Sequence, residues 1–465
     1  MLLRLRHKKA LLASRCFCGV LLMHFIALIS ACNKDDVESN IPKDHLLTAT
    51  VATKWADMSL YVIRRANYNS PTYSSRSLGY LGLTMYESVV NAYPTMQSMS
   101  GQLNGLVNLP EAEPDKIYYW PLVLNSGQET MLKLLYPNHT NITPELTVKI
   151  DSLFEALLLE NSQGIAKATV NRSLNFGKSL ATAIYEWSKT DGGDKGFLRH
   201  FDPAFIFPSG ASFWVPPVRG QTISKYPLHP YWGQNRTFVL ANTVLSMPSI
   251  LPFSSSSSSD YYKNYYAVYE KNKILTQEEK EIAAWWADDP TQSFSPPGHS
   301  YNLATIAIKK ANAPLGKAAE TYARVGLAVA DSFINCWKTK FKYFNERPST
   351  FIKSYIDPTW VPYWPEPPFP AFPSGHSTQS AAAATVLTAL YGENFPFTDN
   401  SHEGDILLPF NQPMKSRSFN NFWESSEESG LSRFLGGIHT QQDNEVGLAE
   451  GKKIGQNINA LSWGK

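Results

Sequence analysis

A chain of 465 residues, 43% hydrophobic and 18% charged, can bury the core of one large or two ordinary domains, which excludes a disordered or fibrous protein. Thirty-one prolines, 12 tryptophans and 13% aromatic residues predict a globular body with long, aromatic-packed loops. The net charge of +2 comes from the N-terminus: Arg4, Arg6, Lys8, Lys9 and Arg15 lie in the first 31 positions, which hold no acid, and the rest carries 37 basic against 40 acidic residues, so no nucleic-acid partner is expected.

Residues 1–31 join that basic stretch to an apolar run of about 16 residues ending in Ile29-Ser30-Ala31-Cys32, too short for a comfortable membrane span. Small residues before a cysteine resemble a bacterial lipoprotein signal. The resemblance implies a signal peptide over 1–31, lipidation of Cys32, a polar tether over 32–44, and a membrane partner through that lipid anchor. The location it implies is the bacterial cell envelope, periplasmic or outer-surface. Cys16 and Cys18 would leave with the signal, so Cys336 alone remains in the folded body, without a disulfide partner and expected as a small core residue.

From residue 45 the chain reads as helical. Ser77 to Tyr93, Thr143 to Glu160 and Ala166 to Lys189 carry apolar residues at three- and four-residue spacing, and no comparable set of alternating strands follows, so the fold class is all-α. The run "TDGGDKG" (190–196) lacks the flanking strand and Lys-Ser/Thr of a phosphate loop and reads as a turn. Between Gly192 and Asp260 the periodicity fails in Pro-, Gly- and aromatic-rich sequence that ends in six serines, expected as a flexible loop. That break separates an N-terminal helical region, 45–260, from a C-terminal unit, 261–465. Within the latter, "FSPPGHSYN" places His299 as a helix-entry residue rather than a catalyst.

Three segments then carry chemistry. A stripe of Ala319, Tyr322, Val325, Val329, Phe333 and Trp337 runs into Lys340 and Arg347, seven apart and able to share a helix face, and Pro348, which cannot continue the helix, places Arg347 at or near its last turn. "PPFPAFPSGHSTQSAAAATVL" sets Ser374, Gly375 and His376 at the start of an alanine-rich helix, where a hydroxyl and free N–H groups suit an oxyanion and a histidine can move a proton. "SGLSRFLGGIHTQQD" supplies Arg433 and His439, with Gly436-Gly437 allowing a break between them. Singly these are ordinary solvated charges, turns and packing residues; in this order over about 100 residues they read as one oxyanion site.

Lys-x6-Arg-Pro, Pro-Ser-Gly-His and Ser-Arg-x5-His together resemble the superfamily of type 2 phosphatidic acid phosphatases, bacterial class A acid phosphatases and vanadium-dependent haloperoxidases. The resemblance implies a catalytic four-helix-bundle core within 261–465 and a vanadate cofactor that phosphate would compete for, with no nucleotide or haem. It implies that Lys340, Arg347 and Arg433 neutralise the equatorial oxygens and that Ser374 and the Gly375 N–H donate to them. His439 would ligate vanadate or be phosphorylated, and His376 would be the acid–base group. Trp337 and Phe369 resemble residues bordering the halide pocket of fungal-type vanadium chloroperoxidases; the other reading is two core aromatics. Asp331 and Asp443 could stand behind the cationic cluster or be ordinary capping acids. The leading expectation is a haloperoxidase using hydrogen peroxide and a halide. The alternatives are an acid or lipid phosphatase cleaving a phosphate ester through phosphohistidine, and an oxyanion-binding lipoprotein without turnover, which would not need His376.

Overall fold

The computed structural model describes residues 47–138, 140–222 and 224–465. The signal, Cys32 and the tether lie outside the described residues. Among those described there are fourteen α-helices and one short antiparallel hairpin, in which β1 (Phe397–Asp399) pairs with β2 (Arg417–Phe419) and Thr398 faces Ser418. The fold is all-α.

The N-terminal half holds α1 (Thr50–Arg65), α2 (Pro71–Glu87), α3 (Trp120–Leu135), α4 (Pro144–Asn161) and α5 (Lys167–Ser188). Two of these match the expected spans closely. α2 begins six residues before the expected Ser77, because Ser70-Pro71 is a start signal: the Ser70 hydroxyl accepts from the Tyr73 N–H at 3.2 Å and proline occupies the first turn. The run 190–196 is a turn, tied by Asp191, which accepts from the Gly193 N–H and pairs with the buried Arg76 at 2.7 Å. α6 (Leu240–Thr243) interrupts the long excursion. The six serines close in a hydrogen-bonded turn, and Ser259 caps α7 (Asp260–Lys273) by accepting from the Tyr262 N–H at 3.1 Å.

The C-terminal half holds α8 (Gln277–Trp285), α9 (Ser295–Lys310), α10 (Leu315–Tyr343), α11 (Pro348–Tyr355), α12 (Gly375–Tyr391), α13 (Phe422–Leu435) and α14 (Gln441–Asn459). The 29-residue α10 packs on α2 and on α12, so buried side chains from Leu47 to Trp463 form one continuous cluster across both halves. Cys336 is buried within it.

Arg347 is not in the last turn of α10. That helix ends at Tyr343, where Phe344 turns left-handed (φ 50°), and Arg347 is extended (φ −85°, ψ 158°) as the residue before α11. Proline has no N–H to lose at a first helical position and holds its predecessor out of the helical region, so Pro348 starts a helix rather than stopping one.

What fixes the site is α12. Its Ala381–Ala384 run is buried, and small side chains let it sit among α10, α13 and α14. The closest approach is to α14, where a Cβ on Gly451 would stand 2.1 Å from the Thr378 carbonyl oxygen. Gly451→Val should therefore destabilise the fold by about 3 kcal/mol, read as a lower midpoint of urea unfolding at unchanged slope. A variant as stable as the wild type would show that this contact does not constrain the bundle.

Candidate active site

The proline-rich segment before α12 explains how buried cations are held. Its prolines have no N–H to donate, which leaves carbonyls facing inward. Lys340, fully buried, donates all three of its hydrogen bonds to the carbonyls of Pro370, Ala371 and Pro373 at 2.6–2.9 Å. Arg347 donates to the carbonyls of Phe369, Pro370 and Ile438, and its Nη1 lies 3.0 Å from His439 Nε2. Arg433, on α13, donates to the Trp286 carbonyl at 3.2 Å, while its buried Nε has no partner.

His439 is held from both sides. Its Nδ1 lies 3.0 Å from Asp443 Oδ2, and that oxygen also accepts from the Thr440 N–H in the box that opens α14. With the proton on Nδ1 and Arg347 donating to Nε2, the ring is neutral and its lone pair points into the cationic cluster, the tautomer a metal ligand or nucleophile requires. Asp331 does something else. It accepts from the backbone N–H groups of Phe238 and Val239 and from Asn242, pinning the start of α6 to α10 far from the cations' hydrogen bonds.

Ser374 caps α12, accepting from the Ser377 N–H at 3.4 Å, so the N–H groups of the first turn face the same region without intrahelical partners. A Cβ on Gly375 would meet only the edge of Trp337, at 3.8 Å, which leaves open room beside that N–H. His376 follows, with its Nε2 buried and unpaired.

These groups surround one cavity of about 130 Å³. Trp337, Phe369, Gly375, His376, Arg433 and His439 line it, whereas Lys340, Arg347 and Ser374 stand directly behind the wall. The Trp337 and Phe369 rings pack at 4.8 Å, and Trp337 Nε1 donates to the Leu228 carbonyl at 3.1 Å. Asn69, Ser70, His200, Phe201 and Gln221 from the N-terminal half complete the wall with Asp288 and Asp289. No sequence signal points to these, since they come from loops without periodicity.

Asp288 belongs to a buried network. Its two oxygens take His299 Nδ1 at 2.8 Å and His402 Nε2 at 3.0 Å, and His299 Nε2 lies 2.8 Å from Asp399. Burial opposes the His299 charge, but the two carboxylates outweigh it and raise the imidazolium to about 10. His299, the fifth residue of α9, is thus a structural cation that pins the 286–294 loop against the hairpin.

The electrostatics favour an anion. Burial pulls the Lys340 ammonium down to about 7 and both Arg347 and Arg433 down to about 10. Burial, reinforced by these cations, pushes His439 and His376 well below the usual imidazole range. The nearby acids are also weakened, with Asp443 raised to about 6 and Asp289 to about 7 by burial. Three buried cations held on carbonyls, two unpaired nitrogens (Arg433 Nε and His376 Nε2), a helix N-terminus and an imidazole lone pair fit a tetrahedral oxyanion such as vanadate or phosphate.

Residues 320–462 match the family described as the VCPO second helical-bundle domain. The chain is similar to the crystal structure of the first bacterial vanadium-dependent iodoperoxidase, with a TM-score of 0.76 and 29% identity over 89% of this chain and 97% of that one. It is also similar to the apo and holo structures of a bacterial vanadium-dependent chloroperoxidase. Those matches have TM-scores of 0.63 at 14% identity, over 92% and 94% of this chain and 97% of each. At that identity the likeness is one of fold. No curated protein matches the chain.

The Lys340 shift has a testable sign. The unfolded chain keeps that proton to its ordinary value of 10.5, the folded chain only to about 7, so the anion-free protein gains stability as pH rises between those values. A bound anion reverses this by holding the proton. Sulfate does not titrate between pH 6 and 9; its affinity, measured by calorimetry, should be greatest below pH 7 and fall by up to about tenfold per pH unit above it. A flat profile would mean that Lys340 does not face the anion.

Proposed function

Because the chain belongs to the vanadium haloperoxidase superfamily, we propose that it is a vanadate-dependent haloperoxidase that oxidises a halide with hydrogen peroxide in the cavity between α10, α12 and α13. The observation that carries this reading is the convergence of Arg433, Gly375, His376 and His439 on one cavity, with Lys340 and Arg347 behind it, in a chain similar over nine-tenths of its length to an iodoperoxidase. Iodide is accordingly the halide to try first.

Vanadate, when bound, would act as a Lewis acid toward peroxide without changing its oxidation state. The protein's residues do the rest. Lys340, Arg347 and Arg433 offset the oxyanion's charge once Lys340 and Arg347 exchange carbonyl contacts for oxyanion contacts; Ser374 Oγ and the Gly375 N–H donate further bonds. His439 Nε2 is the ligand, held in its tautomer by Asp443. His376 Nε2, neutral and unpaired, accepts and returns a proton. Overall the halide loses two electrons and gains an oxygen, the peroxide is reduced to water, and one proton is consumed. Trp337 and Phe369 form a dry wall beside the cations, which suits a weakly hydrated anion such as iodide. The proposal extends to location: Cys32, lipidated, would tether this body to the cell envelope.

The test is peroxide-dependent iodination of a dye by phosphate-free protein, with and without orthovanadate, beside hydrolysis of a generic phosphate ester. Iodination that requires vanadate is expected; ester hydrolysis inhibited by vanadate, without iodination, would replace this reading with a phosphatase. His376→Ala should lower turnover by about 10²-fold or more while vanadate affinity, measured by equilibrium dialysis, stays within about threefold. Lost vanadate binding in that variant would make His376 part of the cradle rather than the acid–base group.

A further inference from the structure

Where the cavity meets solvent is set by the exposed residues of its wall. Pro290 and Thr222 are exposed and Asn69 is half-buried, whereas Asp288, Pro296 and Arg433 are buried, so the mouth lies among the loops that carry residues 69, 222 and 290. Beside it, a second cavity of about 380 Å³ shares Asn69, Ser70, Pro71 and Pro290 with the first and adds Tyr68 to its wall.

Tyr68 is the most exposed tyrosine among the described residues, at 66%. Its neighbours fix its place. The Asn67 N–H donates to the Asn141 carbonyl at 2.7 Å, Asn141 Nδ2 donates back to the Asn67 carbonyl at 3.0 Å, and Asn69 Nδ2 donates to the Ile63 carbonyl at 2.9 Å. Between these two pinned residues Tyr68 holds a left-handed backbone (φ 54°), which is uncommon for a bulky side chain and, where it occurs, clusters at functional sites. The turn thus presents a phenol ring to solvent one residue from the cavity wall. Tyr231, Tyr266 and Tyr355 are also exposed, at 40–48%, but line neither cavity.

A phenol at this place has a chemical consequence. The two-electron oxidation of iodide proposed above yields hypoiodous acid, a small neutral electrophile that the cationic cradle does not retain. It leaves through the mouth. Resting on the haloperoxidase reading, we propose that Tyr68 is a self-modification site, iodinated on its ring by the hypoiodous acid that the same molecule releases. An ortho carbon of the phenol attacks iodine; the carbon–iodine bond forms as the iodine–oxygen bond breaks, and the departing hydroxide takes up the displaced ring proton as water. The oxidising equivalent passes from iodine to the ring carbon, so the step needs no other oxidant than the hypoiodous acid that iodide and peroxide supply. Proximity distinguishes Tyr68 from the other exposed tyrosines, because oxidant leaving the mouth meets its ring before mixing with bulk solvent.

The test is a mixed turnover experiment on the full-length protein. Active, vanadate-loaded enzyme is combined with an equal amount of the nitrogen-15-labelled double variant His376→Ala/His439→Ala, which lacks the proposed ligand and acid–base group. Iodide, peroxide and excess N-acetyltyrosine are added, the last to consume oxidant that reaches bulk solvent. Mass spectrometry of the tryptic peptide 66–76 should then show iodine on Tyr68 of the active copies at about tenfold or more above Tyr68 of the inactive copies, and above Tyr266 and Tyr355 of the same chain. Tyr68→Phe should iodinate the scavenger at the wild-type rate and carry no iodine on that peptide. Equal labelling of the two copies, labelling of Tyr68 no greater than that of Tyr266 and Tyr355, or a label that persists on Tyr73 in Tyr68→Phe would overturn the assignment. The comparison within the active chain decides if the double variant does not fold. A wild type without vanadate-dependent iodination of the scavenger would sink the haloperoxidase reading and this assignment with it, whereas an active wild type with Tyr68 unlabelled would sink this assignment alone.

Discussion

The site depends on backbone carbonyls that hold cations where no carboxylate touches them. Lys340 and Arg347 carry full charges in water, yet both are buried, and their hydrogen bonds go mainly to carbonyls of the segment 369–373. Carbonyl dipoles keep the ammonium and guanidinium hydrogen-bonded without neutralising them, so the positive field survives into the cavity. A direct ion pair would have been easier to bury but would have cancelled the charge an oxyanion needs. Glu366, whose charge acts on Arg347, accepts from Ser349 Oγ at 2.7 Å, while Asp443 orients His439, Asp288 holds two imidazoles, and Asp289 accepts from Trp364 Nε1 at 3.1 Å and Gln221 Nε2 at 2.6 Å.

Packing turns this local device into a site. α12 reaches the cluster because its alanines and the glycines of α14 allow close approach, and that approach brings the Ser374–His376 turn beside His439. The connection is direct as well, since the Ser374 N–H donates to the Asp443 carbonyl at 2.9 Å. The same residue thus ties the start of α12 to the histidine on which the proposed chemistry turns. α10 contributes from the other side, carrying Trp337 and Lys340 one turn apart on a helix that also packs against the N-terminal half.

Much of this is legible in the amino-acid sequence, for reasons that differ by residue. The all-α class shows in the three- and four-residue spacing of the segments that form α4 and α5. The grouping of Gly375, His376, Arg433 and His439 shows in residue types whose joint order has few other uses. Arg347 sits on a different element from the one its spacing suggests, because Pro348 reads as a stop; proline also starts helices, and only the left-handed turn at Phe344 decides between the two. Asp331 lies on the expected helix but faces the 238–242 segment, which helical spacing alone cannot tell. His200, Asp288 and Asp289 leave no trace in the sequence, because they reach the cavity from loops whose path is set by tertiary packing rather than by any local pattern.

The central claim is that these residues form an oxyanion cradle with His439 as its ligand. The most direct measurement is a crystal structure of the vanadate-soaked protein. The account predicts density for an oxyanion at bonding distance from His439 Nε2, contacted by Arg433 and the Gly375 N–H, with Arg347 turned from a carbonyl of residues 369–370 toward the anion. An oxyanion bound elsewhere, or density in this cavity that leaves His439 Nε2 paired with Arg347, would contradict it.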